Sequence, residues 1–81
     1  MLAEQYRNPE REHGDPYGTL TPREREVFHL VTEGKTTKEV AVLLGISVKT
    51  ADNHRTRIMD KLDVHNTAEL VRYAARKGLM H

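Results

Sequence analysis

The sequence predicts an all-α fold, a four-helix domain behind a flexible N-terminal linker, and three observations carry that expectation. From Leu20 onward hydrophobic residues recur at helical spacing, and no segment alternates as a half-buried strand would. Thr21, Thr36, Ser47 and Asn66 each stand where a helix N-cap belongs. The chain has 81 residues, 37% hydrophobic and 31% charged. That is room for one small, surface-rich domain whose core must draw on nearly every element.

Residues 1–18 combine Pro9, Gly14, Pro16 and Gly18 with charges and have little to bury, so they read as a linker, with the folded domain spanning 19–81. Tyr6 and Tyr17 are most simply linker residues, although either side chain is able to cover the edge of a core. The first helix starts at Thr21-Pro22-Arg23-Glu24, an N-cap, a proline at the first helical position and a glutamate that completes a capping box. Val27, Leu30 and Val31 share its inner face, Phe28 broadens it, and Gly34 follows its end. Thr36 to Glu39 repeats the capping-box pattern and opens a two-turn helix through Val40, Ala41, Leu43 and Leu44, stopped by Gly45. Ser47 caps a third helix, the longest, running to about Leu62 with Ala51, Ile58 and Leu62 on its buried stripe. Asn66, with Glu69 three residues on, caps a fourth that turns Leu70, Tyr73 and Ala74 to the core and ends at Gly78.

Composition narrows the function classes. The absence of cysteine excludes disulfides, thiolate metal sites and cysteine nucleophiles, and fits a reducing compartment, the cytoplasm being the expectation. No run of eighteen apolar residues occurs and the N-terminus lacks a secretory apolar stretch, so neither membrane insertion nor export is expected. The net charge of +1 conceals an asymmetry. Residues 1–18 carry two Arg against four Asp or Glu, a charge of −2, and the remainder carries eleven Lys or Arg against eight acids, a charge of +3. Mild basicity permits a polyanionic partner.

The informative unit is a short helix, a turn at Leu44-Gly45-Ile46-Ser47, and a longer polar helix, the helix-turn-helix plan. Ala41 is small enough for close helix approach, Gly45 accepts a left-handed turn, and Val40, Leu44 and Ile46 pack between the two helices. In that arrangement the N-terminal half of the second helix enters the major groove of double-stranded DNA, where Lys49, Asp52, Asn53 and Thr56 reach outward. The helix N-termini at Thr36 and Ser47 attract phosphate, with Lys35, Lys38 and Lys49 beside them and Arg55, Arg57 and Lys61 beyond. If four to six of these groups neutralise phosphates, the logarithm of affinity falls against the logarithm of salt with a slope of about −4 to −5. Asn53 is suited to adenine, whereas Asp52 accepts only from a donor such as cytosine N4 and repels phosphate, a selective filter.

Blander readings stand beside these. The helix pair packs equally well in a bundle that binds nothing, and the same exposed third helix would serve a protein-interaction module docking on RNA polymerase or another regulator. His54 is a hydrogen-bond donor to phosphate or backbone, or else a titrating group. His13, His29, His65 and His81 lack ligand-like spacing, so no metal or other cofactor is expected. Asp52, Asp60 and Asp63 have no nucleophile or phosphate loop near them, so no enzyme is expected. Val71 and Ala75, beside the Leu70-Tyr73-Ala74 stripe, form a small apolar patch of the kind a symmetric dimer needs.

Together, Leu20 to Val27, Lys38 to Ala41, Lys49 to Arg55 and Ile58 to Leu62 resemble the LuxR-type (GerE-like) DNA-binding domain at the C-terminus of NarL/FixJ-type bacterial response regulators and of quorum-sensing regulators. The resemblance covers Leu20 to Met80, with four blocks in the family's order and spacing. It implies a domain that binds promoter DNA as a homodimer, with its third helix in the major groove and its fourth, here Val71, Arg72 and Ala75, at the dimer contact. Carried over by position, Asp52, Asn53 and Thr56 would face bases, and Lys38, Lys49, Thr50, His54, Arg55 and Arg57 would hold the DNA backbone. The chain departs from the family at Asp52, often lysine or glutamate, and at Ala51, usually valine, which loosens the packing of the third helix. Residues 1–18 resemble the polar linker that joins such a domain to an upstream receiver. An excised effector domain and a free-standing regulator would share these features.

Overall fold

A computed structural model describes residues 16–79. Most of the expected linker, with Tyr6 and His13, lies outside the described residues, as do Met80 and His81. After a single 3-10 turn at Pro16–Thr19 come four helices: α1 (Pro22–Thr32), α2 (Thr37–Leu44), α3 (Val48–Leu62) and α4 (Thr67–Arg76). No strand occurs among the described residues, and none of their helices is long and apolar enough to cross a membrane.

Each helix starts where its cap chemistry predicts. At α1, the Glu24 N–H donates to Thr21 Oγ1 (3.1 Å) and the Thr21 N–H donates to Glu24 Oε1 (2.9 Å), a closed capping box. Thr36 and Glu39 repeat it at α2. At α3 the Thr50 N–H donates to Ser47 Oγ (3.0 Å). At α4 the Glu69 N–H donates to Asn66 Oδ1 (2.9 Å), while the Glu69 carboxylate accepts from the His65 N–H (2.7 Å), one residue before the cap. These bonds satisfy amides that a bare helix end leaves unpaired.

The C-termini share one closure. Lys35, Ile46, Val64 and Leu79 donate their N–H groups to the carbonyls of Leu30, Ala41, Met59 and Ala74, each five residues back. In every case the preceding residue has positive φ, at Gly34, Gly45, Asp63 and Gly78. This is the Schellman arrangement, which needs a left-handed residue after the helix. Asp63, at φ 55°, is the one non-glycine in that role among the described residues.

The core takes Leu20, Val27, Phe28, Val31, Val40, Ala41, Ala51, Ile58, Leu62, Leu70, Tyr73 and Ala74, with residues from all four helices. α3 packs against both α2 and α1, and α1 packs against α4. Phe28 is fully buried at the centre, with Tyr17 (5.3 Å) and Tyr73 (6.3 Å) meeting its ring edge-on. Tyr17 also shares a 3.0 Å hydrogen bond between its hydroxyl and His29 Nε2, and the Arg25 guanidinium lies over its ring. Tyr17 thus covers the edge of the core, the second of its two expected roles. The eight-residue α2 turns only Val40 and Ala41 fully inward, and Leu43 faces out with Val42.

Candidate nucleic-acid interface

The turn between α2 and α3 fixes the relation of the two helices. Gly45 takes φ 67° and ψ 36°, the Ile46 N–H closes on Ala41, and Ser47 immediately caps α3. Ala41 and Ala51, both buried, keep the pair close. The direction of α3 is thereby set by backbone hydrogen bonds and small side chains.

α3 has two unlike flanks. Ala51, Ile58 and Leu62 are buried, while Lys49, Asp52, Asn53 and Thr56 are exposed at positions i, i+3, i+4 and i+7 of the opposite side. Lys38 and Arg57 are exposed as well. Thr50 is exposed, its Oγ1 accepting from Ser47 Oγ–H (2.9 Å). His54 is half-buried, and its Nδ1 is enclosed with no hydrogen-bond partner.

The two expected anion-attracting helix ends differ. At α2 the Glu39 carboxylate already accepts the Thr36 N–H (2.8 Å) and sets a negative charge in the first turn. The first turn of α3 holds no acidic residue. The α3 end therefore presents the stronger positive potential.

Two cations of the expected set are engaged within the chain. The Arg55 Nη2–H donates to Thr67 Oγ1 (2.6 Å), tying α3 to the start of α4. The Lys61 ammonium donates to Glu24 Oε1 (2.8 Å) and to the Thr19 carbonyl (3.1 Å), clamping the far end of α3 to the start of α1. The Glu24 side chain is only 4% exposed. Burial pushes its carboxyl up, but the Lys61 ammonium and the Thr21 backbone N–H outweigh that and hold it below the usual carboxylate range. Nothing local in the sequence marks this pair, whose members stand 37 residues apart.

On α4, Val71 is half-buried and Arg72 and Ala75 are exposed. Beside them lies a polar hollow of about 260 Å³ lined by Asp63, Val64, Glu69, Arg72 and Arg76. The expected dimer contact therefore borders charged groups. The arrangement as a whole can bind a polyanion along one flank of α3.

Comparison with known proteins fits this geometry. The family model for bacterial regulatory proteins of the luxR family, GerE, matches residues 18–74. The chain is 50% identical over 60 residues to the uncharacterized response regulatory protein YgeK of Escherichia coli K12, covering 74% of this chain and 41% of YgeK. Full-length FixJ from B. japonicum superposes with a TM-score of 0.76 at 31% identity, over 88% of this chain and 35% of FixJ. The Vibrio cholerae VqmA dimer, determined in the absence of target DNA, superposes with a TM-score of 0.73 at 28% identity, over 89% of this chain and 31% of VqmA. The chain thus spans between about a third and two fifths of the length of these relatives.

Proposed function

Because the chain belongs to the luxR family of bacterial regulatory proteins, we propose that it binds promoter DNA sequence-specifically to regulate transcription, as the DNA-binding part of a response regulator. The observation that carries this is the exposed stripe Lys49, Asp52, Asn53 and Thr56 on the flank of α3 opposite its buried residues. A helix with a free polar flank and an acid-free N-terminus is what the major groove admits. Asp52, Asn53 and Thr56 meet base edges. Lys38, Lys49, Thr50, His54 and Arg57 meet the phosphate backbone, along with the caps at Thr36 and Ser47. Arg55 and Lys61 hold α3 in place instead.

Two copies bind together, reading half-sites about 10 bp apart or nearer, with Val71, Arg72 and Ala75 of α4 at the contact. The name of YgeK supports the response-regulator setting and the VqmA dimer supports the pairing. Work takes place in the cytoplasm, where an upstream receiver domain and RNA polymerase are the expected further partners.

Selection of bound duplexes from a random pool tests the assignment. Asn53→Ala should relax preference at one base position, and Lys49→Ala should weaken all sequences alike. Enrichment of no sequence would end the specific-binding reading, and the opposite pattern for the two variants would reverse their roles. Footprints on the selected site report the pairing, since one unpaired footprint would remove the dimer.

A further inference from the structure

α2 carries an apolar surface that neither the core nor the proposed DNA contact uses. Val42 is 81% exposed and Leu43 57% exposed, neighbours on the side of α2 away from buried Val40 and Ala41. With Lys35, Lys38 and Glu39 they line a groove of about 360 Å³ whose wall is mostly apolar. An eight-residue helix needs only its inner face for folding, so two bare aliphatic residues side by side are not explained by packing.

The charges around the groove are unequal in number. Glu39 Oε1 accepts the Thr36 N–H at 2.8 Å, which fixes this carboxylate at the helix cap and leaves its charge in place. The backbone of Lys35 is held by its N–H donating to the Leu30 carbonyl (3.0 Å), and the Lys35 and Lys38 side chains are both exposed. The rim therefore carries two ammonium groups and one carboxylate, a net charge of +1. DNA phosphates are able to neutralise Lys38, but a duplex backbone gives Val42 and Leu43 nothing apolar to lie against.

We propose that this groove docks a short acidic, amphipathic helix of a protein partner, whose leucine-like residues cover Val42 and Leu43 and whose carboxylates meet Lys35 and Lys38. Helices laid into apolar grooves use anchors at i, i+3, i+4 and i+7, and flanking charges set their orientation and partner. The groove lies on α2 and shares Lys38 with the proposed DNA contact, so the docked partner stands next to the duplex. Only that placement rests on the DNA-binding reading; the docking itself does not.

The test uses the full chain and a fluorescein-labelled synthetic helix with leucines at i, i+3, i+4 and i+7 flanked by glutamates. A twin with lysines in place of the glutamates serves as the comparison. The acidic peptide should bind with amide shifts centred on Lys38 to Leu43, and at least about fivefold more tightly than the lysine twin. Val42→Ser/Leu43→Ser should lose at least about fivefold in peptide affinity while keeping the thermal midpoint and the DNA affinity of the parent. Equal binding of the two peptides, no binding of either, or undiminished peptide binding by a folded double variant would each overturn the proposal. DNA affinity is measured separately on the same samples, so loss of the docking surface and loss of the DNA-binding reading give different results.

Discussion

Two residues of different kind share one backbone conformation at helix ends. Gly45 and Asp63 both close helices with positive φ, at 67° and 55°. A Cβ added at Gly45 would meet nothing within 4 Å, so the whole penalty of substitution is backbone strain. Gly45→Ala is expected to lower stability by about 1–2 kcal/mol. Asp63 already bears that strain, softened by the tolerance of aspartate for the left-handed region, and Asp63→Gly is expected to gain about 0.5 kcal/mol. Denaturant midpoints at unchanged m-value check both signs. The glycine closures at Gly34, Gly45 and Gly78 were legible in the sequence because glycine announces the conformation, whereas Asp63 carries no such mark. The cap residues were legible for the same reason, since Thr21, Thr36, Ser47 and Asn66 bond to amides only three residues away.

Between elements, the clamp from Lys61 to Glu24 and Thr19 joins α3 to the start of α1. Glu24→Gln is expected to cost about 1–3 kcal/mol at neutral pH, because the Lys61 ammonium and the Thr21 N–H lose the charge of the buried carboxylate they both bond. Because the folded Glu24 carboxyl lies below its usual value of 4.5, the stabilisation is fully present above that pH and is lost as pH falls through the folded value. Thermal midpoints measured from pH 7 down to pH 3 should therefore drop below about 4.5 in the parent, with a shallower drop in Glu24→Gln. Lys61→Ala should lower the thermal midpoint at neutral pH by a similar mechanism. Sequence spacing counted Lys61 among the cations free for phosphate and gave no sign of Glu24 in the interior, because periodicity reports the face of one helix and not what another brings to it. The stripe of α3 was legible by that same periodicity, with Ala51, Ile58 and Leu62 inside and Lys49, Asp52, Asn53 and Thr56 outside.

For the molecule as a whole, the number of free cations sets how binding responds to salt. Arg55 and Lys61 are engaged internally, which leaves Lys35, Lys38, Lys49 and Arg57 as the exposed cations of the expected set outside these contacts. The slope of log affinity on log salt is then expected at about −3.5 per copy, shallower than a count including all six basic residues gives. Anisotropy titrations between 50 and 200 mM salt, a range of about fourfold, measure it, and Lys61→Ala should leave the slope unchanged. The closed helix ends have a calorimetric corollary. Every helix of residues 16–79 is stitched at both termini before any ligand arrives, so association has no helix left to complete there. The heat capacity change on binding a duplex should consequently scale with the contact area alone, without the surplus that accompanies coupled ordering.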